Sequence, residues 1–537
     1  MTSHRNKYKI SLLTLLLAGL VFPVLWGCKE QTNPPVEETF VRLLTNEALE
    51  SVILKKSINY AVLLPENYNT STDSFPVVYL LHGFGDNESA WYNGGRIRYY
   101  SGKYSSEISP AIYVMPEGYN SYYVNRYNGR FPYMDMFTKE LVPEIDSLYR
   151  TKADRSQRAV MGYSMGGYGA LILPAMNPDL FGVSVPLSMS FRTDEQYMAE
   201  FSDGFDYQWG SIFGGVGTKG SDRLTDYFKQ NSPFYFFNGG DHSRFNELRF
   251  FIDCGDDEES LSVTNSALHC LMRDNDIPHE YRVSDGAHSW DYWHNSLHEA
   301  LVFMSTAFQN EDYPVFSADV EVGDAVPENN IRVLETAGME TDPQIMIPPS
   351  YDTVVGNYPV IYFINDYDPG KRTNQTAAIF SLFYNAMLSG KMIKALLVEI
   401  PRETETLNVY DLQNIVMLVD KGYATRKESR GRMLMGYGES GDLLTSVVIS
   451  DTSSFSSCVM FNVSIDTSVA VSGGSIFYYL DGCDMGESYK AYHNLFLRLR
   501  DSGNEFEYRI RQGDDSYQSF LAGLSESFPV LKKKLKI

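Results

Sequence analysis

The residues best suited to chemistry sit in Gly162-Tyr163-Ser164-Met165-Gly166, which has the pattern G-x-S-x-G. It follows an apolar run at 159–161 and precedes a stretch with helical character at 167–175. A serine on a sharp strand-to-helix turn stands at the helix start, where backbone N–H groups can hold a developing oxyanion. The glycines are needed because that turn is strained and leaves no room for side chains beside the serine. The pattern alone is weak, and its strand–turn–helix context makes it specific. Its chemistry would be attack by the Ser164 hydroxyl on an acyl carbon. Serine is a poor nucleophile at its ordinary pKa, so the attack requires partners.

One partner is a source of N–H groups. Leu80-Leu81-His82-Gly83-Phe84-Gly85 leaves an apolar run through a glycine-flanked loop, which can present the N–H of Phe84. The N–H of Met165, just after the serine, would be the second oxyanion donor. The other partner is a general base, expected late in the chain and after an acid. His288 fits best, on a turn after the strand-like 281–283 and before a helix. His294 and His298 are spaced i, i+4, but no third ligand accompanies them, so a solvated helix face is expected and no metal site. The acid should follow the apolar run 248–252, where the chain offers Asp253-Cys254-Gly255-Asp256-Asp257-Glu258-Glu259. Position does not choose among these carboxylates, and those not used are expected to be spectators on an exposed loop.

The elements that must position these groups occur twice. Leu64-Pro65-Glu66-Asn67-Tyr68 reappears as Ile347-Pro348-Pro349-Ser350-Tyr351. The run 75–81 reappears as 358–364, Met161-Gly162-Tyr163 as Met435-Gly436-Tyr437, and Glu280-Tyr281-Arg282-Val283 as Glu507-Tyr508-Arg509-Ile510. Four matches in one order imply a duplication, with domains over 39–310 and 311–537. Apolar, β-branched runs at 77–81, 111–115, 159–161, 183–187 and 248–252 suit strands buried on both faces of a parallel sheet. Amphipathic stretches such as 134–149 separate them, which predicts an α/β sheet covered by helices on both faces.

The second copy has lost the chemistry. Gly438 stands where the first has Ser164, Asn365-Asp366 where it has His82-Gly83, and Asp515 where it has His288. Ser440 has left the elbow position and has no histidine to activate it. The second copy also lacks a counterpart of roughly 191–247, which carries Tyr197, Phe201, Phe205, Tyr207, Trp209 and Phe213. This segment is expected to form a lid over the site of the first copy.

The first copy resembles the esterase D-like family of α/β-hydrolases, which includes feruloyl esterases and carbohydrate esterase family one. The shared features run through most of 50–305: the Pro65–Tyr68 segment, His82-Gly83, Met115-Pro116-Glu117-Gly118, Gly162 to Gly167, Cys254-Gly255, and His288 with Trp290 and Trp293. The resemblance implies two tandem α/β-hydrolase domains, the second degenerate. It also implies hydrolysis of a carboxylic ester through an acyl-enzyme, with no cofactor. The family's acid usually lies three residues after the glycine matching Gly255, at Glu258. An aspartate is usual there, so Glu258 is a departure, and Asp257 competes with it.

Composition and the N-terminus bear on where such a protein works. Arg5, Lys7 and Lys9 precede the apolar stretch 10–25, which ends at Trp26-Gly27-Cys28. This reads as a secretory signal over 1–27, too short and wrongly flanked to span a membrane. It resembles a lipoprotein cleavage box that would lipidate Cys28, with Trp26 replacing the usual small residue. A polar tether follows at 28–38. The formal net charge of −23 argues against nucleic acid and anionic lipid as partners. The expected product is therefore an exported bacterial lipoprotein held to the membrane through Cys28, in the periplasm or at the cell surface. The resemblance and the export signal point to removal of feruloyl or acetyl groups from polysaccharide. Alternatives are another ester, such as a siderophore or short-chain acyl ester, or a binding lipoprotein with a decayed esterase core.

Overall fold

In the first half of the chain, residues that are successive in a strand enter different cores. Val77, Tyr79 and Leu81 join one hydrophobic cluster while Val78 and Leu80 join another on the opposite face. Strands must supply apolar groups to both faces when helices cover both, which is why these segments read as unbroken apolar runs. The computed structural model describes residues 43–536 except 241, 316–319, 337–338, 340, 355, 367–370, 403–406, 451–452, 467–470, 472–473 and 475. Cys28, the signal segment and the tether lie outside the described residues.

The first half contributes β1 (Leu43–Ser51), β2 (Lys56–Leu63), β3 (Val77–Leu81), β4 (Ile112–Pro116), β5 (Arg158–Tyr163), β6 (Val183–Leu187), β7 (Arg249–Gly255) and β8 (Glu280–Ser284). The second contributes β9 (Ile331–Val333), β10 (Gln344–Met346), β11 (Val360–Asn365), β12 (Leu396–Pro401), β13 (Arg432–Tyr437), β14 (Ser457–Phe461), β15 (Phe477–Cys483) and β16 (Phe506–Arg511). All sixteen lie in one sheet of order β1-β2-β4-β3-β5-β6-β7-β8-β16-β15-β14-β13-β11-β12-β10-β9. Read inward from either edge, the two halves follow one topology. They meet where β8 pairs antiparallel with β16 at Val283 and Ile510. One core cluster runs along a face of the sheet through both halves, whereas the opposite face carries a separate cluster in each. The sequence repeat does not announce this continuity, because its matches say nothing about how the copies meet.

Register refines the comparison of the copies. Leu187 pairs with Asp253 and Phe461 with Asp481, so Asp253 corresponds to Asp481 and Gly255 to Cys483, one residue on from Gly482. The insert is confirmed in length: β6 and β7 are separated by residues 188–248, β14 and β15 only by 462–476. It has a core of its own. Tyr197, Phe205, Trp209 and Phe213 are fully buried and build a small core on Tyr122, Tyr168 and Phe191, while Phe201 and Tyr207 are exposed. Among the described residues, Cys254, Cys270, Cys458 and Cys483 are buried free thiols.

The helix Ser260–Asp274 of the first half packs on the helix Tyr489–Ser502 of the second at this junction. Ser266 Oγ lies 2.8 Å from His493 Nδ1, and His269 Nδ1 lies 2.8 Å from His279 Nε2. His279 Nδ1 faces the Ile277 carbonyl, so it carries a hydrogen and its Nε2 accepts from His269. Burial lowers the pKa of His279 and His493 from 6.5 to about 4, with Arg500 adding to the shift of His493. A histidine whose folded pKa lies below its unfolded value stabilises the fold above the unfolded value, and loses that contribution as pH falls through the folded one. Buried Asp253, raised to about 7 by desolvation, acts in the opposite direction. The contribution of one histidine is therefore read by comparison. Between pH 6.5 and 4 the wild type should lose stability relative to His493→Gln, by up to about 1.4 kcal/mol per pH unit. Parallel denaturant titrations of the two proteins across this range would measure it.

Candidate active site

Ser164 caps the helix Met165–Met176 with φ 58° and ψ −120°, a strained conformation between the end of β5 and the first helical turn. The surrounding glycines are sterically required. A Cβ at Gly162 would lie 2.3 Å from the Gly166 carbonyl oxygen, and one at Gly166 would lie 2.2 Å from that of Leu81. The strained residue is held from outside the turn. Its N–H donates to Leu187 O and its carbonyl accepts from Ser190 N–H, each at 3.0 Å.

The His82-Gly83 loop lies against this turn, where a Cβ at Gly83 would be 3.4 Å from Ser164 Cβ. His82 is buried and structural. Its Nε2 accepts the Gly118 N–H at 2.7 Å, which leaves the proton on Nδ1 to donate to Gly83 O at 2.8 Å. The N–H groups of Phe84 and Met165 have no hydrogen-bond partner among the described residues. That of Met165 belongs to the first helical turn, whose amides lack intrahelical acceptors.

His288 and Glu258 are brought together, with His288 Nδ1 2.7 Å from Glu258 Oε2. The carboxylate's other oxygen accepts from Gly255 N–H at 3.0 Å and from Ser188 Oγ at 2.5 Å, and Trp293 Nε1 in turn donates to Ser188 Oγ. Glu258 is buried, and a carboxylate there only accepts, so Nδ1 of His288 carries the hydrogen and Nε2 is left as the base. The His288 ring stands perpendicular to that of Trp293 with centroids 5.0 Å apart, and Tyr163, next to Ser164, packs on the same indole at 4.4 Å. Ser164 Oγ itself makes no hydrogen bond among the described residues. Such contacts often tighten only around substrate.

The acidic run is sorted by direction. Asp257 and Glu259 are exposed. The backbone N–H of Asp257 donates to Gly286 O at 3.1 Å, and its carboxylate makes no bond to His288 but lies within 4.8 Å of that of Asp285. Asp256 is buried and bonded, contrary to its expected place among solvated spectators, because it faces the second half rather than solvent. His294 and His298 lie on a half-exposed helix face, each with a partner. His294 Nε2 bonds Gly94 O at 2.8 Å, and His298 pairs with Glu107.

In the second half, Asp366 Oδ2 accepts the N–H of Glu439, which corresponds to that of Met165. A carboxylate of the chain's own thus takes up an amide that would otherwise face an oxyanion. Gly486 replaces Glu258, and a Cβ there would lie 2.5 Å from Asp515 Oδ1, at the position of His288. Ser440 is buried and donates to Tyr437 O.

Residues 51–304 match the Esterase family model, described as "Putative esterase". The first half of this chain is an esterase-family domain. An endo-1,4-β-xylanase/feruloyl esterase of Xylanibacter ruminicola is 32% identical over 130 residues, 22% of this chain and 18% of that protein's length. An acetyl esterase of Caldicellulosiruptor saccharolyticus is 24% identical over 274 residues, 48% of this chain and 95% of that protein. Among solved structures, a ferulic acid esterase is 28% identical with a TM-score of 0.43, covering 50% of this chain and 98% of that one. Outside the esterase-family domain, residues 305–537 lie beyond the family match.

Proposed function

We propose that the chain is a serine carboxylic-ester hydrolase in which Ser164, His288 and Glu258 form the catalytic triad. The observation that carries this reading is the hydrogen bond from His288 to the buried Glu258 carboxylate, which fixes the imidazole tautomer, in a domain with a serine elbow. His288 Nε2 takes the proton from Ser164 as its oxygen attacks the ester carbonyl. The N–H groups of Phe84 and Met165 hold the oxyanion, and the imidazolium returns the proton to the departing alcohol. Water then repeats the sequence on the acyl-enzyme, releasing the acid and restoring Ser164.

The acyl group is feruloyl or acetyl, borne on polysaccharide. Aromatic side chains beside the oxyanion loop support a planar phenolic acyl group: Phe84 lies 5.7 Å from the exposed Tyr207 and 6.2 Å from Tyr122. The named relatives are a feruloyl and an acetyl esterase. Export and lipidation at Cys28 would place the enzyme where polysaccharide is met, with the second half carried as a silent domain.

The test is capture of the intermediate on a pair of esters. Rapid quenching with methyl ferulate or nitrophenyl acetate, followed by peptide mass analysis, should find the acyl mass on the peptide containing Ser164. The ratio of kcat/KM for the two esters then assigns the acyl group. Hydrolysis with no acyl adduct under conditions of an observed burst would reject the covalent route.

A further inference from the structure

The second half meets the acid loop of the first at the buried Asp256 carboxylate, and Arg509 also lies 3.7 Å from Asp285 on the base turn. We propose that Arg509, in the silent half, is a positioning residue for ester cleavage, acting through Asp256 on the turn that carries His288. This rests on the triad reading above.

Asp256 lies two residues before Glu258, and its Oδ1 accepts the N–H of Gly286, two residues before His288, at 3.2 Å. Its Oδ2 accepts from Tyr508 N–H at 3.1 Å and from the Arg509 guanidinium, both on β16 of the other half. The acid loop and the base turn are otherwise laced by backbone bonds, Asp256 N–H to Ser284 O and Asp257 N–H to Gly286 O, each 3.1 Å. They approach so closely that a Cβ on Gly255 would lie 2.1 Å from Gly286 O. Asp256 therefore ties the loop holding the acid, the turn holding the base and the neighbouring half together. Without Arg509, its carboxylate is a buried charge with no counterion, which must draw in water, move or take up a proton. Each outcome disturbs the Gly286 contact, and a shift of about 1 Å in a reacting group can cost on the order of a hundredfold in rate.

The sheet supplies its own control. On the other side of the junction, Asp484 Oδ1 accepts Gly513 N–H at 3.0 Å. Its Oδ2 accepts Tyr281 N–H at 3.2 Å and Arg282 Nη1 at 2.6 Å. These contacts mirror those of Asp256, with the same burial and the same junction, but Asp484 braces loops that end in Gly486 and Asp515. A purely structural role predicts equal consequences on the two sides, whereas positioning predicts a rate effect on one.

The experiment compares Asp256→Asn, Arg509→Met and Arg509→Lys with Asp484→Asn in the full chain, by nitrophenyl acetate turnover and thermal melting. Both asparagine variants should lose similar melting temperature. Asp256→Asn and Arg509→Met should lose about tenfold or more in kcat with KM within about twofold, and Arg509→Lys should recover most of that loss. Asp484→Asn should stay within about twofold of the wild-type kcat. Should Arg509→Met fail to fold, Asp256→Asn and Arg509→Lys still carry the comparison. Equal kcat losses for Asp256→Asn and Asp484→Asn, or none for either, would overturn the positioning role while leaving the triad standing. Absence of Ser164-dependent turnover in the unmodified chain would remove the triad reading, and this proposal with it.

Discussion

Ser164→Ala is expected to lower kcat for nitrophenyl acetate by about 10⁴- to 10⁶-fold, with the melting temperature almost unchanged. The loss is large because the hydroxyl oxygen forms the new bond, and the serine and its base act as one unit. What survives comes from oxyanion donors that do not depend on the side chain, the N–H groups of Phe84 and Met165. Stability should hold because Ser164 Oγ has no hydrogen bond to lose among the described residues. The strained backbone stays as it is, fixed by Leu187 O and Ser190 N–H. Steady-state turnover with a scanning melt measures both quantities. Residual kcat above about one hundredth of wild type would place hydrolysis at another group.

The second large effect separates two neighbouring carboxyl groups. Glu258→Gln should reduce kcat by about 10³- to 10⁴-fold, while Asp257→Asn should remain within about twofold of wild type. An amide at 258 can turn its NH₂ toward His288 Nδ1, which then becomes the acceptor and puts the ring hydrogen on Nε2. A base protonated at the nitrogen that should accept cannot take the proton of Ser164. Burial adds to the effect, since the glutamine must also satisfy the donors Gly255 N–H and Ser188 Oγ–H. Asp257 is exposed, and the bond it makes to the base turn is from its main chain to Gly286 O. Paired kcat determinations on the two variants are the measurement. Equal losses would mean that the acid loop rearranges when substrate binds.

Much of this architecture was legible because burial on both faces writes itself locally. The runs at 77–81 and 183–187 are strands with those bounds, and Ser164 stands at the strand-to-helix turn that its glycines imply. The edge hairpin of β1 and β2 was harder to see, since β1 is largely uncovered and its pattern is broken by a register shift between Leu44 and Glu47. Four carboxylates in a row give no local sign of which two turn inward. Glu258 is selected by Ser188 and His288, and Asp256 by Tyr508 and Arg509, all distant in the chain. Composition and spacing carry no record of such contacts. The junction of the halves was invisible for the same reason, and Asp366 at the second elbow could be read from the sequence only as a missing glycine.

The paired contacts across β8 and β16 have the form of an isologous interface. Asp256 meets Arg509 and Arg282 meets Asp484, so residue i touches j′ and j touches i′, as in a two-fold homodimer. Here the two protomers share one polypeptide. Tethering replaces a concentration-dependent association with an intramolecular one, so the pairing persists at any dilution. It also uncouples the fates of the subunits. In a homodimer a substitution enters both active sites at once, whereas in this chain one elbow could exchange serine for glycine while its twin kept the chemistry.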